Sequence, residues 1–493
     1  MRPGAPNPHS KPPPSRLRFL LLIIFSTSTF FPPLPPLTPP LPIPNNIHHH
    51  QQHLSLSTST STSTATTATQ TTLNNIFFAI ASSASSYPRR TPFLSLWYDP
   101  NTTRARLFLD KPPTNTGPTP LLPYLISADT SRFPYSYPRG HRSAIRGARV
   151  VKEAFDFNHH TNANANHNDD DQIRWYVFGD DDTVFFPHNL ARVLTKYDHN
   201  KWYYIGSISE SFEQNLRMTF GMAYGGGGFA ISSSLAMALS KVLDSCLMRY
   251  PHLYGSDHRI SSCLSELGVH LTLEPGFHQL DVRGDLFGLL ATHPLSPLLS
   301  LHHLEIVDPI FPKKNQTEAV QHLYKAARVD PGRVLQQTVC YDLSSNLTVS
   351  VAWGYAVQVF EGNLLLPDVL ASLRTFTPWR RRGKNMASQY VIDTREYPLD
   401  PCQRPVVFFL EDVASGTGRV WSRYRRHRTK GCPGIDAIEN LNDVRVFSKK
   451  LLQDVDKVMA PRRECCDIIH PFNKSMVIDI RRCGFDELIA MNA

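Results

Sequence analysis

The sequence predicts an α/β domain built on a mainly parallel sheet flanked by helices, followed by a β-rich C-terminal domain. Three observations lead to it. From residue 74 to about 312, short apolar runs alternate with helical patterns, as expected when crossover helices cover both faces of a parallel sheet. Small and polar turn residues separate these runs. Past about Pro331 the texture changes to alternating apolar stretches punctuated by Pro, Gly and Asn, which read as strands of a separate unit, 331–493.

The chain has 493 residues, 41% of them hydrophobic, so it can bury a large core. Its 40 prolines crowd toward the N-terminus. Residues 1–18 carry Arg2, Lys11, Arg16 and Arg18 and read as a cytoplasmic tail. The apolar stretch that follows, ended by the proline run, reads as a signal-anchor segment over 19–36. A cleaved signal peptide is the rival, but no small-residue cleavage site precedes the prolines. The charge bias sends the remainder into the lumen, a type II topology. Residues 37–73 are Pro-rich, then Ser/Thr-rich, and read as a low-complexity stem. The histidines between His48 and His53 are read as part of it.

In the body, Ile76 to Ile80 is a central strand ending in the small-residue turn Ala81 to Ser86. Leu125 to Ser127 is a second strand, and Ser143 to Phe155 a helix; residues 156–171 are a polar insertion. Trp175 to Phe178 forms a buried strand that runs into Asp180, Asp181 and Asp182. Leu190 to Tyr197 reads as a helix, Trp202 to Ile205 as extended, and Phe229 to Ile231 as a strand after the run Gly225 to Gly228. A helix from near Ser234 places Leu235, Leu239, Val242 and Cys246 on one face. In the C-terminal unit, Leu347 to Val351, Tyr355 to Phe360 and Val406 to Leu410 are strands.

The formal charge of +9 comes partly from clusters such as Arg380 to Arg382 and Arg423, Arg425, Arg426 and Arg428. No nucleic-acid module accompanies them, so they read as solvated surface or contacts to acidic glycans and lipids, and nucleic acid is not an expected partner. Sequons at Asn101, Asn315, Asn346 and Asn473 and an even cysteine count fit a luminal body. The eight cysteines lack the C-x-x-C spacing of zinc sites, which leaves disulfides. Cys246 and Cys263 can pair; the other connectivities stay open.

The chemistry centres on WYVFGDDDTVFF, residues 175–186. Strand alternation allows Asp180 and Asp182 to project to one side, a half-site for a hard divalent cation, Mn2+ or Mg2+, that a diphosphate can complete. An acidic turn capping the helix near Asn189 is the alternative. Asp169 to Asp171, by contrast, sit in a polar loop. The glycine run lets backbone approach a ligand without side-chain obstruction, or forms a flexible hairpin.

The stretches IFFAIASSASSYPRRTPFLSLWYDP, ISADTSRFPYSYPRGHRSAIR, RWYVFGDDDTVFF, KYDHNKWYYIGS, AYGGGGFAIS, RYPHLYGSDHRISSCLSELGV and EPGFHQLDVRG occur in this order. Together they resemble the fringe-related β-1,3-glycosyltransferases, most closely the plant fringe-like proteins of unassigned acceptor. The resemblance covers 74–312 and implies a GT-A-like, Rossmann-type fold. It also implies metal-dependent, inverting transfer from a UDP-sugar to a glycan or glycoprotein hydroxyl, at the Golgi membrane. Residue by residue, it assigns metal and donor diphosphate to Asp180, Asp181 and Asp182, and nucleotide approach to Arg89 and Arg90, for which an ordinary exposed helix start is the alternative. Gly226 and Gly227 would lie beside the sugar, and Asp257 would be the base. A metal-binding histidine follows, matched best by His303 in SLHHLE, with His302 and His278 as other candidates. His258 departs from the family, where a second acid is usual. A helix N-cap is the structural alternative for Asp257. The competing function is a catalytically impaired glycan-binding or scaffolding protein. A glycoside hydrolase is disfavoured, because its two acids must flank the scissile bond.

Overall fold

The computed structural model describes residues 70–113, 122–162, 172–380, 389–428, 432, 435–451, 458–470 and 474–490. The expected tail and anchor, most of the stem, Asp169 to Asp171, Arg381, Arg382 and Asn473 lie outside them. No helix among the described residues is long and apolar enough to cross a membrane. Asn101, Asn315 and Asn346 are all exposed.

The N-terminal half runs β1 (Ile76–Ala81), α1 (Tyr87–Trp97), β2 (Arg104–Leu109), β3 (Tyr124–Ile126), α2 (Ser143–Asn162), β4 (Trp175–Asp180) and β5 (Val184–Phe185). It continues with α3 (Pro187–Leu194), β6 (Tyr204–Gly206), α4 (Phe212–Arg217), β7 (Phe229–Ser232), α5 (Ser233–Leu247), α6 (Ser256–Glu266) and β8 (Leu271–Leu273). Seven of these strands form one sheet in the order β3-β2-β1-β4-β7-β6-β8. β7 alone runs against its neighbours; every other pairing is parallel. The expectation of a parallel-rich α/β sheet is met. β1 and β4 sit at its middle, and their unbroken apolar runs are buried on both faces.

A second, eight-stranded sheet is built from Gln337–Asp342, Leu347–Ala352, Ala356–Glu361, Val406–Ser415, Arg419–His427, Asp443–Lys449, Ser475–Arg481 and Cys465–Ile469, in that spatial order. It is antiparallel except where Asp443–Lys449 pairs with Ser475–Arg481. The β-rich C-terminal half is therefore as expected. One hydrophobic core runs through both sheets, from Ile76 to Ile480, and Thr66–Ala493 form one compact unit.

A helix over Gln316–Val329 joins the two halves. Asn315 and Glu318 form a reciprocal capping box at its start. Its Tyr324 donates to the Phe185 carbonyl at 2.8 Å, and its His322 bonds the Leu410 carbonyl in the second sheet at 2.8 Å.

Several details depart from the sequence reading. α1 starts at Tyr87, just ahead of the helix start that is the alternative reading of Arg89 and Arg90: Pro88 stands at its opening turn, where a missing N–H costs nothing, and Pro92 is accommodated inside. β2 and the joining helix were passed over. On α5 the buried arc is Leu235, Leu239, Leu243 and Cys246, while Val242 is exposed because it lies just beyond the edge of that arc. Cys246 and Cys263 are bonded, as expected, and tie α5 to α6. The remaining pairs are Cys340–Cys466, Cys402–Cys432 and Cys465–Cys483.

Candidate active site

β4 carries an apolar strand through the middle of the sheet and delivers Asp180 at its carboxyl end, where ligands of open α/β sheets gather. The pleat stops there. Thr183 Oγ1 accepts from the Asp180 N–H at 3.0 Å, and the Thr183 N–H returns to the Asp180 carbonyl at 3.1 Å, closing a turn over Asp181 and Asp182. The three carboxylates are thus spread by this turn, and strand alternation holds only up to Asp180.

After the turn, β5 enters a small three-stranded sheet with Ser300–Leu301 and Phe277–His278. Its register sets Leu301 opposite Val184, so the next residue, His302, falls beside the aspartate turn. His302 Nε2 lies 3.1 Å from Asp182 Oδ1. Its Nδ1 faces the Gln279 carbonyl at 3.1 Å; a carbonyl can only accept, so Nδ1 keeps its proton, and Nε2, pointed at the carboxylate, is the nitrogen that gains or loses one. His303 adopts a left-handed backbone, φ 55°, and its ring stacks on Trp379 at 4.6 Å. Asp182, His302 and His303 each offer one ligand atom within 4.8 Å of the others. A carboxylate beside two imidazoles, one with its second nitrogen anchored, is a donor set that fits a divalent transition-metal cation better than Mg2+. The other such grouping, Cys465, Cys483 and Glu487, is closed by a disulfide.

The sequence-derived candidates fare unequally. A cleft of about 560 Å³ gathers Asp180, Asp181, Asp182, Arg90, Gly226, Asp257, His302 and His303. Arg89 is exposed and does not line it. Arg90 lies on the acids: Nη1 is 3.0 Å from Asp182 Oδ2 and also reaches Glu305, while Nε is 3.6 Å from Asp181 Oδ1. Ser82 and Ser86 donate to Asp181 Oδ2 at 2.6 and 2.5 Å. Gly227 is buried outside the lining, with its N–H given to Gln279 Oε1 at 2.7 Å. His278 bonds Glu210 at 3.0 Å and packs on His293, away from the cleft.

Asp257 is the second residue of α6, whose N-cap is Gly255, so the capping alternative does not apply. Its carboxylate accepts from the Gly225 N–H at 3.2 Å and the His258 N–H at 2.9 Å. His258 itself does not line the cleft. Sequence reasoning missed Ser82, Ser86, Asp281, Glu305 and Trp379, because each enters through tertiary register. Only the alternation of Ser with an apolar strand end hinted at the first two.

The glycine run matters for packing more than for open backbone. A Cβ on Gly226 would stand 2.1 Å from His302 Cε1 and 2.5 Å from both ring nitrogens, whereas at Gly225 the nearest atom is 3.7 Å away. Gly226→Ala is therefore expected to push the imidazole off Asp182 and weaken Mn2+ binding by about 10-fold or more, with Gly225→Ala close to wild type, as titration calorimetry would show.

The electrostatics are those of buried acids and imidazoles crowded together. Enclosure pushes Asp180 up to about 7; His302 opposes the shift, and the neighbouring acids Asp182, Asp181 and Asp257 add to it. Burial also raises Asp181, against the two serine hydroxyls. For Asp182 burial is outweighed by His302 and Arg90, which hold it well below the carboxylate range. His302 is raised to about 9, burial being outweighed by the combined pull of Asp182, Asp180 and Asp281; His303 is lowered to about 3 by burial and by His302.

An acid raised to about 7 loses its contribution to stability as pH climbs from its unfolded value to 7. A histidine raised to about 9 contributes fully below about 6.5 and loses that contribution as pH rises through 9. Both act in the same direction. His303, lowered to about 3, gains stability up to about pH 6.5 and offsets Asp180 there, so in EDTA the denaturation midpoint is expected to fall between about pH 6.5 and pH 9, and Mn2+, binding the deprotonated ligands, should reverse the slope.

Comparison with known proteins adds two findings. Residues 214–466 match the family described as "Protein of unknown function, DUF604". The chain is also 34% identical over 118 residues to a mouse (Mus musculus) protein named beta-1,3-glucosyltransferase, covering 24% of this chain and 22% of that one. With the human (Homo sapiens) protein of the same name it shares 32% over 111 residues, 22% of this chain and 21% of that one. The chain therefore spans about a fifth of the length of these relatives.

Proposed function

Since the chain belongs to the DUF604 family, whose description leaves the function open, we propose its activity from the cleft: a metal-dependent, inverting glycosyltransferase of the fringe-related β-1,3 type. The donor would be a UDP-sugar and the acceptor a hydroxyl of a glycan or glycoprotein. The motif blocks favour the plant fringe-like branch and a GT-A-like reading of the first sheet. We place it at the Golgi membrane, anchored by 19–36 with its body in the lumen. The observation that carries the proposal is the convergence on one cleft of the aspartate turn, His302 and Asp257. Partial identity to proteins named beta-1,3-glucosyltransferase supports the same reading.

Asp182, His302 and His303 would hold the cation, with Asp180 at the same turn. A bound divalent ion supplies Lewis-acid neutralisation of the diphosphate leaving group. Gln279 fixes the tautomer of His302, and Ser82 and Ser86 fix Asp181, so neither needs to reorganise when charge develops. Asp257, oriented by two backbone N–H groups, takes the proton of the acceptor hydroxyl. The acceptor oxygen bonds the anomeric carbon from the face opposite the nucleotide, the bond to the diphosphate oxygen breaks, and nucleoside diphosphate leaves with configuration inverted.

The test is a donor screen on purified protein: UDP release from a panel of UDP-sugars with Mn2+, with and without acceptor glycans. Turnover of at least one donor that EDTA abolishes is the expected result. Metal-dependent nucleotide binding without turnover of any donor would favour the impaired glycan-binding reading, and absence of both would sink the proposal.

A further inference from the structure

A second cavity, of about 320 Å³, shares no lining residue with the aspartate cleft. Its walls come from α3, the loop before Ser300, the segment leading into Gln337–Asp342 and the C-terminal strand ends. Arg192, Arg462, Arg463 and Arg482 line it, and the one carboxylate among its lining residues, Glu464, is already held by Arg333. Leu295, Pro297, Leu451 and Val458 make the rest largely apolar.

Two buried donors on this wall lack partners. Arg192 is only 7% exposed, and its Nε and Nη2 meet no acceptor. Its guanidinium lies against Gly332, itself part of the lining, where an added Cβ would come within 2.2 Å of Nη1. Ser296 Oγ is likewise buried and unpartnered. Arg462 and Arg463, by comparison, already donate to backbone carbonyls. Asp330 is the acid whose field reaches Arg192, yet its Oδ2 accepts from Arg333 and the Leu451 N–H, and its Oδ1 meets no donor. Buried polar groups in native folds are nearly always met, and an unmatched guanidinium is among the costliest to leave open.

We propose that this cavity is an oxyanion-binding site, taking a phosphate or a carboxylate on a body about the size of a monosaccharide, with Arg192 and Ser296 as donors and Arg482 at the exposed rim. The proposal is independent of the transferase reading. The rival occupant is water bridging Arg192 to Asp330.

Thermal shift and calorimetric titration of the full chain in EDTA, at fixed ionic strength, provide the test. The probes are inorganic phosphate and glucuronate, with glucose as the neutral comparator. Saturable binding of either anion, absent for glucose and weakened about tenfold or more in Arg192→Met, is expected; the tighter anion identifies the oxyanion. The unliganded Arg192→Met protein should be no less stable than wild type, because an unpaired charge has been removed. Arg482→Gln, at an exposed position, should weaken binding about threefold without moving the unliganded midpoint. Anion effects that do not saturate, or that persist unchanged in Arg192→Met, overturn the proposal in favour of water or of binding elsewhere. Should Arg192→Met fail to fold, unchanged affinity in Arg482→Gln overturns it instead.

Discussion

Asp182→Ala is expected to reduce Mn2+-dependent UDP-sugar turnover by roughly 10³-fold, equivalent to about 4 kcal/mol of barrier. The size follows from position. Asp182 is the one carboxylate of the turn that meets both His302 and Arg90, so its loss would remove a ligand of the proposed cation together with the strongest charge acting on the imidazole. Calorimetry with Mn2+ should show the accompanying loss of metal affinity, while circular dichroism should remain that of wild type. Retained turnover with retained metal binding would remove the aspartate turn from the mechanism.

Asp257→Asn is expected to lower kcat by about 10²- to 10⁴-fold while leaving donor KM and Mn2+ affinity near wild type. The amide keeps an acceptor for one of the two backbone N–H groups now bonded to the carboxylate, so α6 should start as before. The split between kcat and KM separates the base from a residue that merely shapes the cleft. A parallel fall in metal affinity or melting temperature would assign Asp257 a structural role.

Much of this site could be read before any fold was known, and the reason is local. The run Trp175 to Phe178 is apolar on both faces, which marks a central strand, and three acids at its end sit beside a core where unpaired carboxylates are costly. What escaped was whatever depends on register between distant segments. His302 and His303 are neighbours in sequence with equal local claims. Only the pairing of Ser300–Leu301 with β5 decides that the first faces Asp182 while the second turns onto Trp379. Arg89 and Arg90 pose the same problem on α1, where one residue of rotation separates solvent from the acids. A helix start at these residues was legible, but its extent through Pro92 was not, since an interior proline gives up one backbone hydrogen bond that the core packing of Phe93, Leu94 and Trp97 offsets. Disulfide partners, set by sheet order, were beyond reach except where the cysteines flank a single helix pair.

The helix Gln316–Val329 has a bearing on how the molecule is inherited as well as on how it stands. Tyr324 holds the carbonyl of Phe185 and stacks on Phe186, the two residues through which the chain leaves the aspartates, while His322 grips Leu410 on the far side. Nascent chain emerging up to residue 312 would thus lack the brace behind its own aspartate turn. Gene fusions or splice forms that cut between the halves should yield insoluble fragments, and the two sheets should travel together wherever this architecture is found.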